Sequence, residues 1–253
     1  MSQATHLYFD HPYEPDPEER GFYWATRFTD TQKVFGFMPD DLFANVETKQ
    51  SGEPLTREEL CSDPGMCANL TKKENIVGMQ GHLWSETVRT ADQMSAMIFP
   101  RMIAMAERAW HRASWEDITN KKERDTKRTD DWVKFANTLG YRELGRLDEM
   151  GVAYHVAPPG ARIDEGVLKI ANVFPGLKFQ YSTDLKTWKN VEDVSDLEGK
   201  IMLRTRSADG LRHSRPIDVE APSKPPTSSL SPHVMSQFIN LVVAAAAVLL
   251  LLW

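Results

Sequence analysis

Two short stretches carry the residues whose types could do chemistry. "HLYFD", residues 6–10, ends on Tyr8 and Asp10, and "GHLWSE", residues 81–86, ends on Trp84 and Glu86. Aromatic faces stack on the C–H surfaces of sugars while carboxylates hold hydroxyls, so such groups converging in a concavity would make a carbohydrate site. Trp24, on a loop rich in aromatics, is a further candidate wall. The competing reading is plainer: core or loop aromatics beside a helix-terminal or solvated acid.

The elements around these residues decide whether they can meet. "HLYFD" reads as a strand, followed by the Pro-rich acidic loop "HPYEPDPEERG". "TDTQKVFGF" reads as a short helix capped by Thr29 or Asp30. Residues 39–74 carry Pro39, Gly52, Pro54, Pro64 and Gly65 among mixed charges and read as loops and turns. "NIVGMQGHLWSE" then reads as a continuous strand buried on both faces, as in a parallel sheet. Thr90 opens a capping box with Gln93, and Met94, Met97, Ile98, Met102, Met105 and Ala109 line one face of a helix to about His111, kinked at Pro100. The methionines are expected as core filler rather than a binding stripe. Strand, aromatic loop, buried strand and amphipathic helix make the end of a β/α barrel, where ligands bind at the C-terminal ends of strands. By that rule Tyr8, Asp10, Trp84 and Glu86 face one pocket.

Downstream, the charged segment "EDITNKKERDTKR" leads into a second helical region near residues 130–150. From Gly151 the texture changes to short β-type segments, "VAYHVA", "GVLKIANV", "LKFQYSTD", "KIMLRTRS" and "RPIDVEA", separated by turn residues at near-sandwich spacing. The expected organisation is residues 1–115 as strand–helix units, 116–151 as a helical connector, 152–221 as a small all-β domain and 222–253 as a linker with a hydrophobic end. Trp110, Trp115 and Trp132 fall on helical segments and are expected to pack.

Composition narrows the function classes. The chain has 253 residues, with 30 Lys+Arg against 36 Asp+Glu and a formal charge of -6, so no nucleic-acid partner is expected. Apolar residues make up 41%, seven of them Trp, enough for most of the chain to pack. The two cysteines, Cys61 and Cys67, cannot build a zinc site alone and are expected to close a small disulfide in an oxidising compartment. Neither a metal nor a cofactor is expected. Asn69-Leu70-Thr71 is a glycosylation sequon. Residues 238–253, "FINLVVAAAAVLLLLW", would make a helix of about 24 Å, short of a hydrocarbon core of roughly 30 Å. Thr227, Ser228 and Ser229, a polar spacer and this tail form the pattern of a glycosylphosphatidylinositol attachment signal, with a tail anchor as the alternative. Such a signal needs secretory entry, yet residues 1–21 carry no signal segment, so a truncated form of a longer secreted protein is expected.

Three blocks now carry a specific resemblance: residues 8–40, beginning "YFDHPYEPDPEERGFYWATRF"; residues 78–116, beginning "GMQGHLWSETVRTADQM"; and "GVAYHVAPPGARI", "QYSTDLKTW" and "RTRSADGLRHSR" beyond residue 150. Together they resemble the C-terminal part of chitobiase-type β-N-acetylhexosaminidases of glycoside hydrolase family 20, over most of residues 6–220. The resemblance implies the last units of a (β/α)8 TIM barrel followed by an immunoglobulin-like β-sandwich. It implies a retaining enzyme that removes terminal N-acetylhexosamine from oligosaccharides, with the substrate's acetamido oxygen as nucleophile, an exception to the two-carboxylate scheme. In the family an adjacent Asp-Glu pair, upstream of the matched segment, orients the acetamide and protonates the leaving oxygen. No general acid is therefore assigned here.

Residue by residue, Tyr8 resembles the tyrosine that donates its hydroxyl to the acetamide oxygen, Trp84 an aromatic wall, and Glu86 the carboxylate holding hydroxyls at the far edge of the sugar. Trp24 is a further wall, and Asp10 a weaker substrate-binding candidate. The expected partners are an N-acetylhexosamine-containing oligosaccharide and a membrane reached through the tail or a lipid anchor, with a homodimer left open. The expected location is extracellular or at the cell surface, with the lysosome as the alternative. Alone, the chain is expected to be inactive and poorly stable, and a non-catalytic surface-anchored carbohydrate-binding protein is the alternative function.

Overall fold

The computed structural model describes residues 1–222 apart from positions 50, 64 and 69. The Asn69 sequon and the hydrophobic stretch 238–253 lie outside the described residues. None of the described helices is long and apolar enough to cross a membrane.

The two stretches expected as strands are not strands. Residues 4–7 form one helical turn, α1 (Ala4–Leu7), and the chain then makes a single parallel bridge, Tyr8 to His82. Two main-chain bonds define it, Phe9 N to His82 O at 2.6 Å and His82 N to Leu7 O at 2.9 Å. A parallel ladder is weak per residue and needs several strands, and here each segment has only the other beside it among the described residues. Instead of being buried on both faces, residues 76–84 run extended, and Val77 is 98% exposed.

The helices follow their local signals more closely. Asp30 caps α2 (Thr31–Phe35), its Oδ1 accepting from Lys33 N at 2.7 Å. Within residues 39–74 lies α3 (Arg57–Leu60), opened by a reciprocal Thr56/Glu59 capping box and leading to a Cys61–Cys67 disulfide. Thr90 Oγ1 accepts from Gln93 N at 3.1 Å and starts α4 (Ala91–Ile98). Pro100 does more than kink this helix: it divides it, and α5 (Arg101–Trp110) is a separate element. The inner face keeps only part of the methionine stripe: Met97 is buried and Met102 and Met105 pack against the core. Met94 is 44% exposed and Ala109 is exposed, while Arg101, Ala104 and Arg108 are buried.

Beyond Trp115 the chain is helical almost without interruption: α6 (Lys121–Thr138), one π-turn (Leu139–Glu143) and α7 (Leu144–Glu149). Lys121, Lys122, Asp130 and most other charges of α6 face solvent, so much of the run 116–128 is a solvated helix face. Trp115 and Trp132 are buried, but Trp110 is 91% exposed and packs on nothing substantial. One apolar core joins Leu7, Phe9, Phe35 and Trp115 to Leu139 and, from the β-rich part, Phe174.

The remainder is antiparallel β-structure. "VAYHVA" is not a strand; Ala153, Tyr154 and Val156 are instead buried in irregular chain against the helices. β1 (Gly160–Asp164) and β2 (Val167–Ala171) form a hairpin. β3 (Lys178–Ser182), β4 (Lys189–Asn190), β5 (Gly199–Arg206) and β6 (Ile217–Ala221) form a four-stranded sheet in the order β4-β3-β5-β6. Leu168 of the hairpin shares a second core with Ile201 and Leu203 of β5. Alternation along β5 puts Ile201, Leu203 and Thr205 inward, as period-2 patterning requires.

Candidate functional site

The single parallel bridge is enough to bring both candidate stretches together. The Tyr8 ring lies 6.4 Å from Trp84 and 5.5 Å from Trp24, the latter edge-on. Trp24 is held by its indole, Nε1 donating to Asp10 Oδ2 at 2.7 Å. Asp10 itself is buried, whereas Trp24 and Trp84 remain 50% and 51% exposed. Two large rings half-open to solvent beside a tyrosine are unusual for packing residues, because burial of each would remove a large apolar area from water. Phe22 and Tyr23, just before Trp24 on the loop, are also exposed.

Glu86 stands slightly apart. It is exposed, and among the described residues its carboxylate has no partner; its main-chain oxygen accepts from Arg89 Nη1 at 2.7 Å. The structure thus gathers Tyr8, Asp10, Trp24 and Trp84, with Glu86 two residues beyond Trp84 in the turn that ends the extended segment.

Three residues that sequence reasoning passed over complete the arrangement. His82 packs 4.6 Å from the Tyr8 ring and lies nearly parallel to Trp84, at 10° and 6.1 Å. The signal was available: positions 82 and 84 share a face of an extended chain. His11, fully buried, sits under Trp24 at 5.0 Å, its Nδ1 2.6 Å from Phe22 O. Burial, opposed by that hydrogen bond and by Asp10, keeps the His11 ring below its usual proton affinity, so it is neutral near pH 7. Its Nε2 and Asp10 Oδ1 are both buried without a hydrogen-bond partner, a polar demand directly behind the aromatic wall.

Arg101 is the third. It is fully buried and binds main-chain oxygens rather than a carboxylate: Nη1 to His11 O at 2.8 Å and Thr29 O at 2.9 Å, Nη2 to Phe9 O at 2.7 Å, and Nε to Met97 O at 3.0 Å. Its guanidinium also stacks over Tyr13 at 3.8 Å. One planar fork therefore sets the path of the backbone on both sides of Asp10, a task that needs arginine geometry.

A separate cleft of about 360 Å³ is lined by His6, Lys33, Glu47, Arg128 and Trp132, among others, and includes none of the five candidates. Its charges are already satisfied: Lys33 Nζ donates to Thr26 Oγ1 at 2.7 Å and Arg128 Nη2 to Glu47 at 2.9 Å. Satisfied groups leave little for a ligand to bind, so the aromatic cluster is the better candidate. Among the described residues no group of three or more His, Cys, Asp or Glu could hold a metal ion.

Comparison with known proteins bears on this cluster. Residues 1–113 match the glycosyl hydrolase family 20 catalytic domain, and residues 143–216 match the chitobiase/beta-hexosaminidase C-terminal domain. The chain is 40% identical over 235 residues to a beta-hexosaminidase of Vibrio vulnificus, covering 85% of this chain and 26% of that protein. It is 38% identical over 229 residues to the N,N'-diacetylchitobiase of Vibrio harveyi, covering 85% and 25%. The chain thus spans about a quarter of the length of these relatives. A solved exo beta-N-acetylglucosaminidase of Vibrio harveyi, in complex with N-acetylglucosamine, aligns with 61% of this chain and 18% of its own, at 25% identity. At a TM-score of 0.36 that overlay does not establish a shared architecture.

Proposed function

With family 20 catalytic-domain sequence in its first half and a chitobiase/beta-hexosaminidase C-terminal domain in its second, the chain is related to the C-terminal part of the family 20 β-hexosaminidases, and on that premise we propose that it forms the sugar-binding half of a β-N-acetylhexosaminidase site. The ligand is a terminal, non-reducing N-acetylhexosamine of a chitobiose-like oligosaccharide. The observation that carries the reading is the convergence of Tyr8, Trp24 and Trp84, with both indoles half-exposed.

Each residue has a physical task in this reading. Trp84 and Trp24 stack on the C–H faces of the pyranose and exclude water from it. Tyr8 Oη donates to the acetamide carbonyl, which holds that oxygen against the anomeric carbon. Attack by the acetamide oxygen as the glycosidic bond breaks gives a cyclic oxazolinium, the departing oxygen taking a proton from an acid outside these five residues. Water then opens the ring with retention, returning a proton to the same group. Glu86, carrying an unpaired carboxylate, accepts from hydroxyls at the rim. Asp10 acts through Trp24, fixing the indole plane. None of these five residues is assigned to proton transfer to the leaving group.

The same reading extends to architecture and location. Residues 1–115 are the closing strand–helix units of a β/α barrel, supported by the parallel bridge between Tyr8 and His82. The hairpin and four-stranded sheet around Leu168, Ile201 and Leu203 are an immunoglobulin-like sandwich. The Cys61–Cys67 disulfide supports folding in an oxidising, secretory compartment.

Tryptophan fluorescence titrated with N,N'-diacetylchitobiose tests the site. Saturable quenching with the acetylated disaccharide, absent with cellobiose, is expected, and Trp84→Ala should weaken binding at least tenfold. Equal response to both sugars, or a Trp84→Ala variant with unchanged affinity, would refute the reading.

A further inference from the structure

The loop that carries Trp24 is closed at its base and gripped at its tip by a different part of the molecule. At the base, Phe22 N donates to Asp10 O at 3.0 Å and Thr29 N to Pro12 O at 2.8 Å. Gly21 permits this closure: at φ +131, a Cβ there would lie 2.5 Å from Asp10 O. At the tip, three carboxylates from a six-residue span converge on the β-rich part. Arg215 Nη2 lies 2.6 Å from Glu14 and 3.0 Å from Asp16, and its Nε 4.0 Å from Glu19. Glu19 also meets His155 Nε2 at 3.1 Å. The His155 ring stacks on Tyr13 at 3.9 Å and 5°, and Tyr13 Oη and His155 N both donate to Phe99 O, at 2.7 Å and 2.9 Å.

We propose that Arg215, with His155, is a positioning residue for the sugar site: the β-rich part clamps the acidic loop 12–24 and thereby sets where Trp24 stands. The proposal rests on the sugar-site reading above. Its charge arithmetic makes the clamp more than a surface ion pair. Three carboxylates face one guanidinium and one imidazole, and their side chains are only 10% to 30% exposed. Removing Arg215 leaves like charges crowded together in a partly desolvated site, which drives the loop outward instead of merely loosening it. Burial works to raise the Glu19 carboxyl, yet the hydrogen bond and charge of His155 and the charge of Arg215 outweigh it and hold it below the usual range.

The loop also transmits this placement to the second wall. Arg20 Nη1 donates to Thr87 O at 2.5 Å, one residue beyond Glu86. A continuous path therefore runs from Arg215 through the acidic loop to both Trp24 and the Trp84–Glu86 segment. In this arrangement a domain outside the barrel units determines the spacing of the two aromatic walls.

Hydrogen exchange and chitobiose titration on the full chain, run in parallel on Arg215→Met, test the proposal. The amides of Glu19, Phe22 and Thr29 should exchange at least tenfold faster, those of α6 should not change, and affinity should fall at least fivefold. Arg215→Lys, which keeps the charge, should recover part of both losses. Adding Glu14→Gln and Asp16→Asn to Arg215→Met should recover loop protection by removing the repulsion. Unchanged exchange in Arg215→Met overturns the clamp, and faster exchange with unchanged affinity overturns its positioning role. Trp84→Ala separates the two readings, since it should weaken binding at least tenfold while leaving loop exchange intact. A full chain that protects the loop but binds no sugar refutes the site reading on which the positioning role rests.

Discussion

Gly140 offers the sharpest test of how the helical and β-rich parts meet. It lies in the π-turn between α6 and α7, where the helix presses on the Pro175-Gly176 turn. A Cβ added at Gly140 would fall 1.9 Å from Pro175 O, 2.9 Å from Pro175 N and 3.0 Å from Pro175 C. Carbon–oxygen contacts settle near 3.3 Å, so the turn would have to retreat by roughly 1.4 Å. The obstacle is backbone, which cannot swing aside, and Tyr141 already packs on Gly176 from the same side. Overpacking of this kind costs about 1–3 kcal/mol, partly offset by the ~0.8 kcal/mol that alanine gains over glycine inside a helix. Gly145, one turn on in α7, has nothing within 4 Å of its added Cβ. There the helix term acts alone, and Gly145→Ala should stabilise by about 0.5–1 kcal/mol. The two substitutions, identical in chemistry, should therefore move Tm in opposite directions by a few degrees each, at about 2–4 °C per kcal/mol for a chain this size. Thermal and urea denaturation followed by circular dichroism measure both. A Gly140→Ala protein as stable as Gly145→Ala would show that the helix does not meet the Pro175 turn as described.

Other consequences follow from buried charge and covalent links. His6 is buried, and burial, with the charges of Lys33 and Arg128, lowers its pKa to about 3. The unfolded chain takes up a proton near 6.5 and the folded one does not, so stability falls with pH across the window from about 6.5 to 3. The loss should reach about 2 kcal/mol by pH 5, at ~1.4 kcal/mol per unit; urea midpoints of His6→Gln that track the unsubstituted protein from pH 7.5 to 5 would contradict this. Arg101→Lys keeps the charge but cannot reach the carbonyls of residues 9, 11, 29 and 97 at once, and should cost about 2–4 kcal/mol. A midpoint shift below ~0.5 kcal/mol would mean the fork is dispensable. The Cys61–Cys67 loop closes off α3, which buries no residue. Its reduction should expose residues 57–67 to protease yet leave global stability within ~0.5 kcal/mol, and a larger drop in Tm would place this loop inside the cooperative core.

What the sequence determined by itself was settled within a turn or two of chain. Asp30 and Thr90 cap helices because their side chains reach an amide three residues on, and Pro100 ends one because it lacks the amide that the next turn requires. Four of the six β-strands overlap the turn-punctuated segments beyond Gly151, since alternation and turn residues act locally. Tyr8, Trp24 and Trp84 could be picked out in the sequence as candidate sugar-facing residues, and the three quoted blocks carried the family resemblance. Only the tertiary structure decided which of them meet. The Tyr8–His82 bridge joins segments more than seventy residues apart, and an apolar run could not show that it would form one bridge instead of a strand. Trp110 and Trp115, five apart, differ from 91% to 1% exposure because the chain turns between them, which periodicity does not register. Arg101 and Arg215 look like surface charges in sequence. Their partners lie about 90 and 200 residues away, so the burial of one and the clamp made by the other depend on chain return, a contact that no local pattern encodes.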